Sequence, residues 1–133
     1  MSPKREVIVP SVRALDAASG FGQAVSAVVR GGDFLFVCGL TAVDPRSGER
    51  VPGTTASETR QILTHLEQLL EAAGSSLERV VRVHVVLADI SHMAEMDRVY
   101  REFFPVDPPA RTAWSMQLRF GNGCEIECVA LAN

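Results

Sequence analysis

Apolar positions along the chain change their spacing from two residues to between three and four and back, and each change marks an element. Glu6 to Pro10 is a short apolar run that predicts a first strand. Ala24 to Arg30 is rich in β-branched residues and ends at Gly31-Gly32. Phe34 to Leu40 follows, so the two runs predict a hairpin closed by a glycine turn. Asp44-Pro45-Arg46-Ser47-Gly48 carries turn chemistry. The spacing then becomes helical: Ile62, Leu66, Leu69, Leu70 and Ala73 share one stripe. Thr55 and Glu58 fit a capping box before it, and Gly74 stands where a helix often ends in a left-handed residue.

Val80 to Leu87 (VVRVHVVL) is too β-branched for a helix and predicts a strand. Strict alternation would put Val81, Val83, Val85 and Leu87 on one face and Arg82, His84 and Val86 on the other. Ser91 can cap a second helix whose buried stripe is Met93, Met96, Val99, Tyr100 and Phe103, and Pro105 stops it. Ala110 to Met116 and Cys124 to Leu131 are the last two strands, with Gly121-Asn122-Gly123 favouring a tight turn between them. The predicted order is β-β-β-α-β-α-β-β. Two helices can cover only one face of such a sheet. The other face still carries apolar residues, so self-association is expected.

Composition bounds this picture without changing it. The chain has 133 residues, 47% apolar and 22% charged, which fits one domain spanning 1–133 and excludes disordered or collagen-like sequence. No apolar run approaches the roughly 20 residues that a membrane-spanning helix needs. Twelve of the 13 basic residues are Arg, scattered singly from Arg5 to Arg119 against 16 acidic residues. With no basic stripe, a nucleic-acid groove is not expected. No apolar signal-peptide core follows Met1-Ser2-Pro3-Lys4-Arg5, and the three Cys are odd in number. Both point to a reducing cytoplasm. Cys124 and Cys128 are four apart, but no His or second Cys pair stands at ligand spacing, so no metal site is expected.

Candidate chemistry lies near the C-terminus. Arg111 opens one strand and shares its face with Ala113 and Ser115. Glu125 and Glu127 share a face of the next strand. If these strands come near each other, Arg111 can lie beside Glu125. A guanidinium there could clamp a substrate carboxylate, and a neighbouring carboxylate could orient or deprotonate a water. By residue type alone, a structural Arg–Glu ion pair is the commoner meaning. His65 is placed on the polar side of the long helix, His84 in a core or interface position and His92 exposed in a helix first turn. Cys38 reads as a buried, inert thiol. No GxSxG is present, and Gly20-Phe21-Gly22 leads into a strand rather than a helix, so it is not a phosphate loop.

In order, the chain carries Gly20-Phe21-Gly22-Gln23-Ala24-Val25, Phe36-Val37-Cys38-Gly39, Asp44-Pro45-Arg46-Ser47-Gly48-Glu49 and Glu71-Ala72-Ala73-Gly74-Ser75-Ser76-Leu77. Further on come Val99-Tyr100 with Phe103-Phe104, then Pro109-Ala110-Arg111-Thr112 and Glu125-Ile126-Glu127. Together these segments resemble the RidA/YjgF family of reactive-intermediate (imine) deaminases, also described as endoribonuclease L-PSP-like. The resemblance runs from about Ala18 to Leu131. It implies an α+β, chorismate-mutase-like fold: a six-stranded sheet with two helices on one face, assembled as a homotrimer with clefts between subunits. It also implies hydrolysis of 2-aminoacrylate-type enamines and imines to 2-keto acids and ammonia, with no metal or organic cofactor.

By the same resemblance Arg111 matches the carboxylate-binding residue and Glu125, not Glu127, the water-associated one. Phe21, Cys38, Gly39, Asp97 and Ala113 would line the substrate pocket. Several positions depart from the common pattern: Phe21 for Tyr, Cys38 for Ser, Leu40 for Gln, Ala113 for Cys and Asp97 for Asn. The pocket becomes more apolar on one side and more acidic on another. Two other readings remain beside the small-imine one. One is a pathway-specific deaminase of a larger, aminomuconate-like amino acid. The other is a trimer that binds small carboxylates without turnover. Ribonuclease activity, attached to some relatives, fits an acidic chain with no basic stripe poorly.

Overall fold

A computed structural model describes residues 5–8, 25–44, 47 and 49–133. Six strands form one sheet: β1 Arg5–Ile8, β2 Val28–Gly31, β3 Phe34–Leu40, β4 Val80–Leu87, β5 Ala110–Ser115 and β6 Cys124–Leu131. Helix α1, Thr55–Ala72, lies between β3 and β4, and α2, Met93–Phe103, between β4 and β5. The strand order is β1-β2-β3-β6-β4-β5. All neighbours are antiparallel except β4 and β5, which run parallel. A parallel pair needs a crossover, and α2 supplies it.

The predicted elements form in the predicted order, with informative differences. β2 begins at Val28, although Ala27 still accepts a hydrogen bond from the Cys38 N–H at 2.9 Å. The capping box does not form. Thr54 is the N-cap of α1, and its hydroxyl accepts from the Ser57 N–H at 3.1 Å. Glu58 turns inward instead and accepts from the Gly123 N–H at 3.0 Å, which ties the helix start to the turn before β6. Ser91 is not a helix cap. It sits in a short 3₁₀ turn, Ile90–His92, where Asp89 accepts from both its N–H and its hydroxyl. Gly74 takes a φ of +83° just past α1, as its position predicts.

β5 and β6 are not hairpin partners. β4 lies between them, and the connection through Gly121-Asn122-Gly123 passes from the sheet edge back into its middle. The alternation of β4 also breaks once. Val80 pairs with Ala130 and Arg82 with Val129, so an extra residue bulges at Val81. Val80 therefore turns inward, while Val81 is 39% exposed.

The core lies between one sheet face and the helices. Ile62, Leu63, Leu66, Leu69 and Leu70 of α1 and Met96 of α2 are fully buried. They meet Val83, Val85, Leu87, Ile126 and Ala130 of the sheet. Each large aliphatic side chain buried this way contributes about 1.5–3 kcal/mol. His65, expected to be solvated, is only 1% exposed, because position 65 falls on the same stripe as Ile62 and Leu69. The helices are joined at their outer edge by the Arg60–Glu102 ion pair, and Glu95 accepts from the Ala56 N–H at 2.7 Å.

Among the described residues no helix lies over the opposite sheet face. Phe36, 49% exposed, and Trp114, 51% exposed, stand on it with Val129 and Leu131. Among the described residues no helix is long and apolar enough to cross a membrane.

Candidate functional site

Arg111 and Glu125 lie on opposite faces of the sheet. Arg111 pairs in register with Val83, a fully buried core residue, and so belongs to the helix-covered side. Glu125 pairs with Val86 and Glu127 with His84, both on the bare side. With β4 interposed, one copy of the chain does not bring Arg111 beside Glu125.

Arg111 is held firmly. Its Nη1 donates to Asp97 Oδ1 of α2 at 2.5 Å, and both side chains are about one-quarter exposed. Its guanidinium carbon stands 4.7 Å from the centre of the Tyr100 ring, within range for a cation–π contact. Asp97 and Tyr100 lie three apart on α2 and so face the same side of the helix. Tyr100 in turn packs against Phe104, with ring centres 4.8 Å apart. Burial pushes the Tyr100 phenol up to about 12, so it remains a neutral hydroxyl. Ala113, two residues beyond Arg111, packs against the core on the same side.

Glu125 is partly buried on the other face and leans over Gly39. A methyl group placed on Gly39 would come within 2.9 Å of Glu125 Oε2 and 3.0 Å of its carboxyl carbon. Gly39 can approach so closely because Cys38-Gly39 forms a second bulge: the β3–β6 register shifts between Val37 and Leu40. Burial raises the Glu125 pKa above the ordinary carboxylate value. Arg119 pulls it back, Glu127 adds to the rise and His84 opposes it. The two glutamates differ in their surroundings. Glu127 is more exposed, and its Oε1 meets His84 Nδ1 at 3.0 Å. The His84 ring stands edge-on to Trp114 at 4.5 Å. Gly39, His84, Val86, Trp114, Glu125 and Glu127 line a recess of about 210 Å³ on this bare face.

The remaining sequence-predicted positions divide between these groups or fall away. Gly39 joins Glu125, and Asp97 joins Arg111. Cys38 is partly buried beside the core. Phe21 lies outside the described residues. Burial drives the Cys124 and Cys128 thiols up to about 12, so both stay protonated. Sequence reasoning missed Tyr100 as the platform under Arg111 and Trp114 as a wall of the recess. Tyr100 was legible as a stripe residue of α2, but nothing in its spacing pointed toward Arg111. Trp114 alternates with Ala113, and that alternation alone could have placed it on the bare face.

A family model described as endoribonuclease L-PSP matches residues 12–132. A 2-iminobutanoate/2-iminopropanoate deaminase of Bos taurus is 36% identical over 132 residues, which cover 98% of this chain and 93% of that protein. A RutC family protein of Pyrococcus horikoshii is 43% identical over 88 residues, 66% of this chain and 70% of that protein. Among solved structures, a putative endoribonuclease from Thermotoga maritima aligns with a TM-score of 0.83 at 32% identity, covering 96% of this chain and 97% of that one.

Proposed function

The chain belongs to the RidA/YjgF family, also described as endoribonuclease L-PSP, and on that premise we propose that it hydrolyses small 2-imino acids, formed from 2-aminoacrylate-type enamines, to 2-keto acids and ammonia. One observation carries the reading. The likeness to the bovine imine deaminase extends over 98% of the chain and so includes the segments that hold Arg111 and Glu125.

The chemistry asked of these residues is modest, because an imine carbon is already electrophilic and needs no metal or organic cofactor. Arg111 binds the substrate carboxylate through charge-assisted hydrogen bonds and fixes the imine carbon. Glu125 accepts a proton from a water whose oxygen bonds to that carbon. Returning that proton to the nitrogen gives the neutral carbinolamine. Glu125 then takes the hydroxyl proton as the carbonyl forms and passes it to the nitrogen as the C–N bond breaks, so imine plus water gives keto acid plus ammonia. A carboxylate whose pKa is raised by burial is a better base for this step than an ordinary one.

Opposite faces within one chain require two copies for this arrangement. In our reading the protein is a homotrimer of chorismate-mutase-like subunits, with the bare sheet faces packed around the threefold axis. Arg111 of one copy then meets Glu125 and Gly39 of the next. The apolar residues on the bare face, Phe36, Trp114, Val129 and Leu131, favour this assembly.

The first test is release of ammonia and keto acid from freshly generated 2-iminopropanoate and from a panel of larger imines. Binding of small carboxylates with no turnover of any of them would make the protein a binding trimer. The second test mixes two inactive variants, Arg111→Ala and Glu125→Gln, under subunit exchange. A site shared between neighbours regains activity in about one-quarter of positions after random mixing. A site within one chain regains none.

A further inference from the structure

We propose that Asp97 converts the Arg111 clamp into a reader of zwitterions: the paired side chains select acids that carry a protonated nitrogen next to the carboxylate over acids that lack one. The inference rests on the reading of Arg111 as the substrate clamp and adds a specificity-determining role for Asp97.

The argument begins with charge. Arg111 and Asp97 are in direct contact, so the clamp is a dipole rather than a free cation. Both side chains are about one-quarter exposed, open enough for a ligand to reach and dry enough for charge to matter. A guanidinium carries five N–H donors in a fixed fork. Asp97 takes one through Nη1. Among the described residues no other hydrogen bond engages this guanidinium, and its remaining donors can take a ligand carboxylate. The guanidinium cannot easily swing away from Asp97, because Tyr100 lies beneath it and is itself packed on Phe104.

A carboxylate that docks on the remaining donors is therefore held close to the Asp97 carboxylate, within about 5 Å, where like charges repel appreciably. An ammonium or iminium on the adjacent carbon reverses the balance. The carboxylate end meets Arg111, the cationic end faces Asp97, and the ligand dipole opposes that of the pair. In imine hydrolysis the same contact favours the iminium form, the more electrophilic one, when water arrives.

The experiment is titration calorimetry at pH 7 with L-alanine and propanoate, which share a carbon skeleton and differ by the ammonium. The intact protein should bind alanine more tightly by roughly tenfold, the effect of one close charge in a partly dry site. D97N should bind propanoate more tightly than the intact protein does, again by roughly tenfold, and lose the preference for alanine. D97S removes the charge without supplying an amide and should behave as D97N does. D97E keeps the charge and should keep the order of affinities. Equal or tighter binding of propanoate by the intact protein overturns the inference, as does an unchanged ratio in D97N and D97S. Binding of neither ligand overturns this inference and the clamp reading together. An Asp97-dependent preference without imine turnover supports the zwitterion reader and removes the deaminase reading alone.

Discussion

Gly39→Ala separates stability from activity at the point where the structure is tightest. The new Cβ would lie 2.9 Å from Glu125 Oε2, 3.0 Å from Cδ and 3.3 Å from Cγ. Carbon contacts settle near about 3.5–4.0 Å, so the carboxyl group must retreat by roughly half an ångström or more. The backbone at Gly39 is not left-handed, so alanine meets no conformational penalty there. Replacing glycine by alanine at a compatible position is worth about 0.4–1 kcal/mol through the unfolded state. The clash falls on the mobile end of a side chain, so the net change in stability should stay within about 1 kcal/mol, or a few degrees in Tm. Activity should respond differently. A misplacement approaching 1 Å in a reacting group can cost up to about 10²-fold, and we expect kcat to fall by about 10- to 100-fold.

Circular dichroism on heating and ammonia release from 2-iminopropanoate measure the two effects. The double variant Gly39→Ala, Glu125→Gln should be no slower than Glu125→Gln alone, since both changes act through one carboxylate. An unchanged kcat in Gly39→Ala would refute the placement of Glu125 at the reacting water. Loss of folding would show that Gly39 is a packing residue first.

Glu125→Gln should lower turnover by roughly 10²–10⁴-fold, the usual worth of a general base, while Glu127→Gln stays near the parent rate; steady-state kinetics on both variants checks the assignment. The base must be ionised, so the rate should fall as pH drops through the raised Glu125 pKa, with a midpoint above the ordinary Glu value of about 4.3. In the folded protein the protonated form is favoured, so this group's contribution to stability is present at low pH and declines as pH rises through that pKa. Glu125→Gln should accordingly be no less stable than the parent at neutral pH in chemical denaturation, and a clear destabilisation would count against the burial argument. Arg111→Ala should cost about 2–4 kcal/mol in carboxylate affinity by calorimetry with the fold retained. If it unfolds the protein instead, the Asp97 contact is structural. Phe36→Glu puts a charge on the bare sheet face and, if the protein assembles as the proposed trimer, should yield monomer in light scattering. A parent protein that is already a monomer would remove the trimer.

Local pattern determined much of this protein. The stripe from Ile62 to Ala73 could only be an amphipathic helix, and Gly74 ended it. The runs Phe34–Leu40 and Cys124–Leu131 became strands with those bounds. These features depend on neighbours within a few residues, which the sequence displays directly. The family was also legible, because Arg111, Glu125 and the segments around them keep their order and spacing. What the sequence could not supply was which strand each strand touches. β5 follows α2, and the crossover returns it parallel to β4 at the sheet edge, so β4 separates it from β6. That arrangement sends Arg111 toward Asp97 and Tyr100 and Glu125 to the bare face. The bulges at Val81 and Cys38-Gly39 act the same way. One extra residue in a strand with a period of two reverses which side chains face the core, and no count along the chain announces it. Glu58 fits the capping pattern, yet it is drawn inward by the Gly123 N–H, 65 residues away. Periodicity fixes what a segment can become, while its partners and the direction in which its charged side chains point are set by long-range packing.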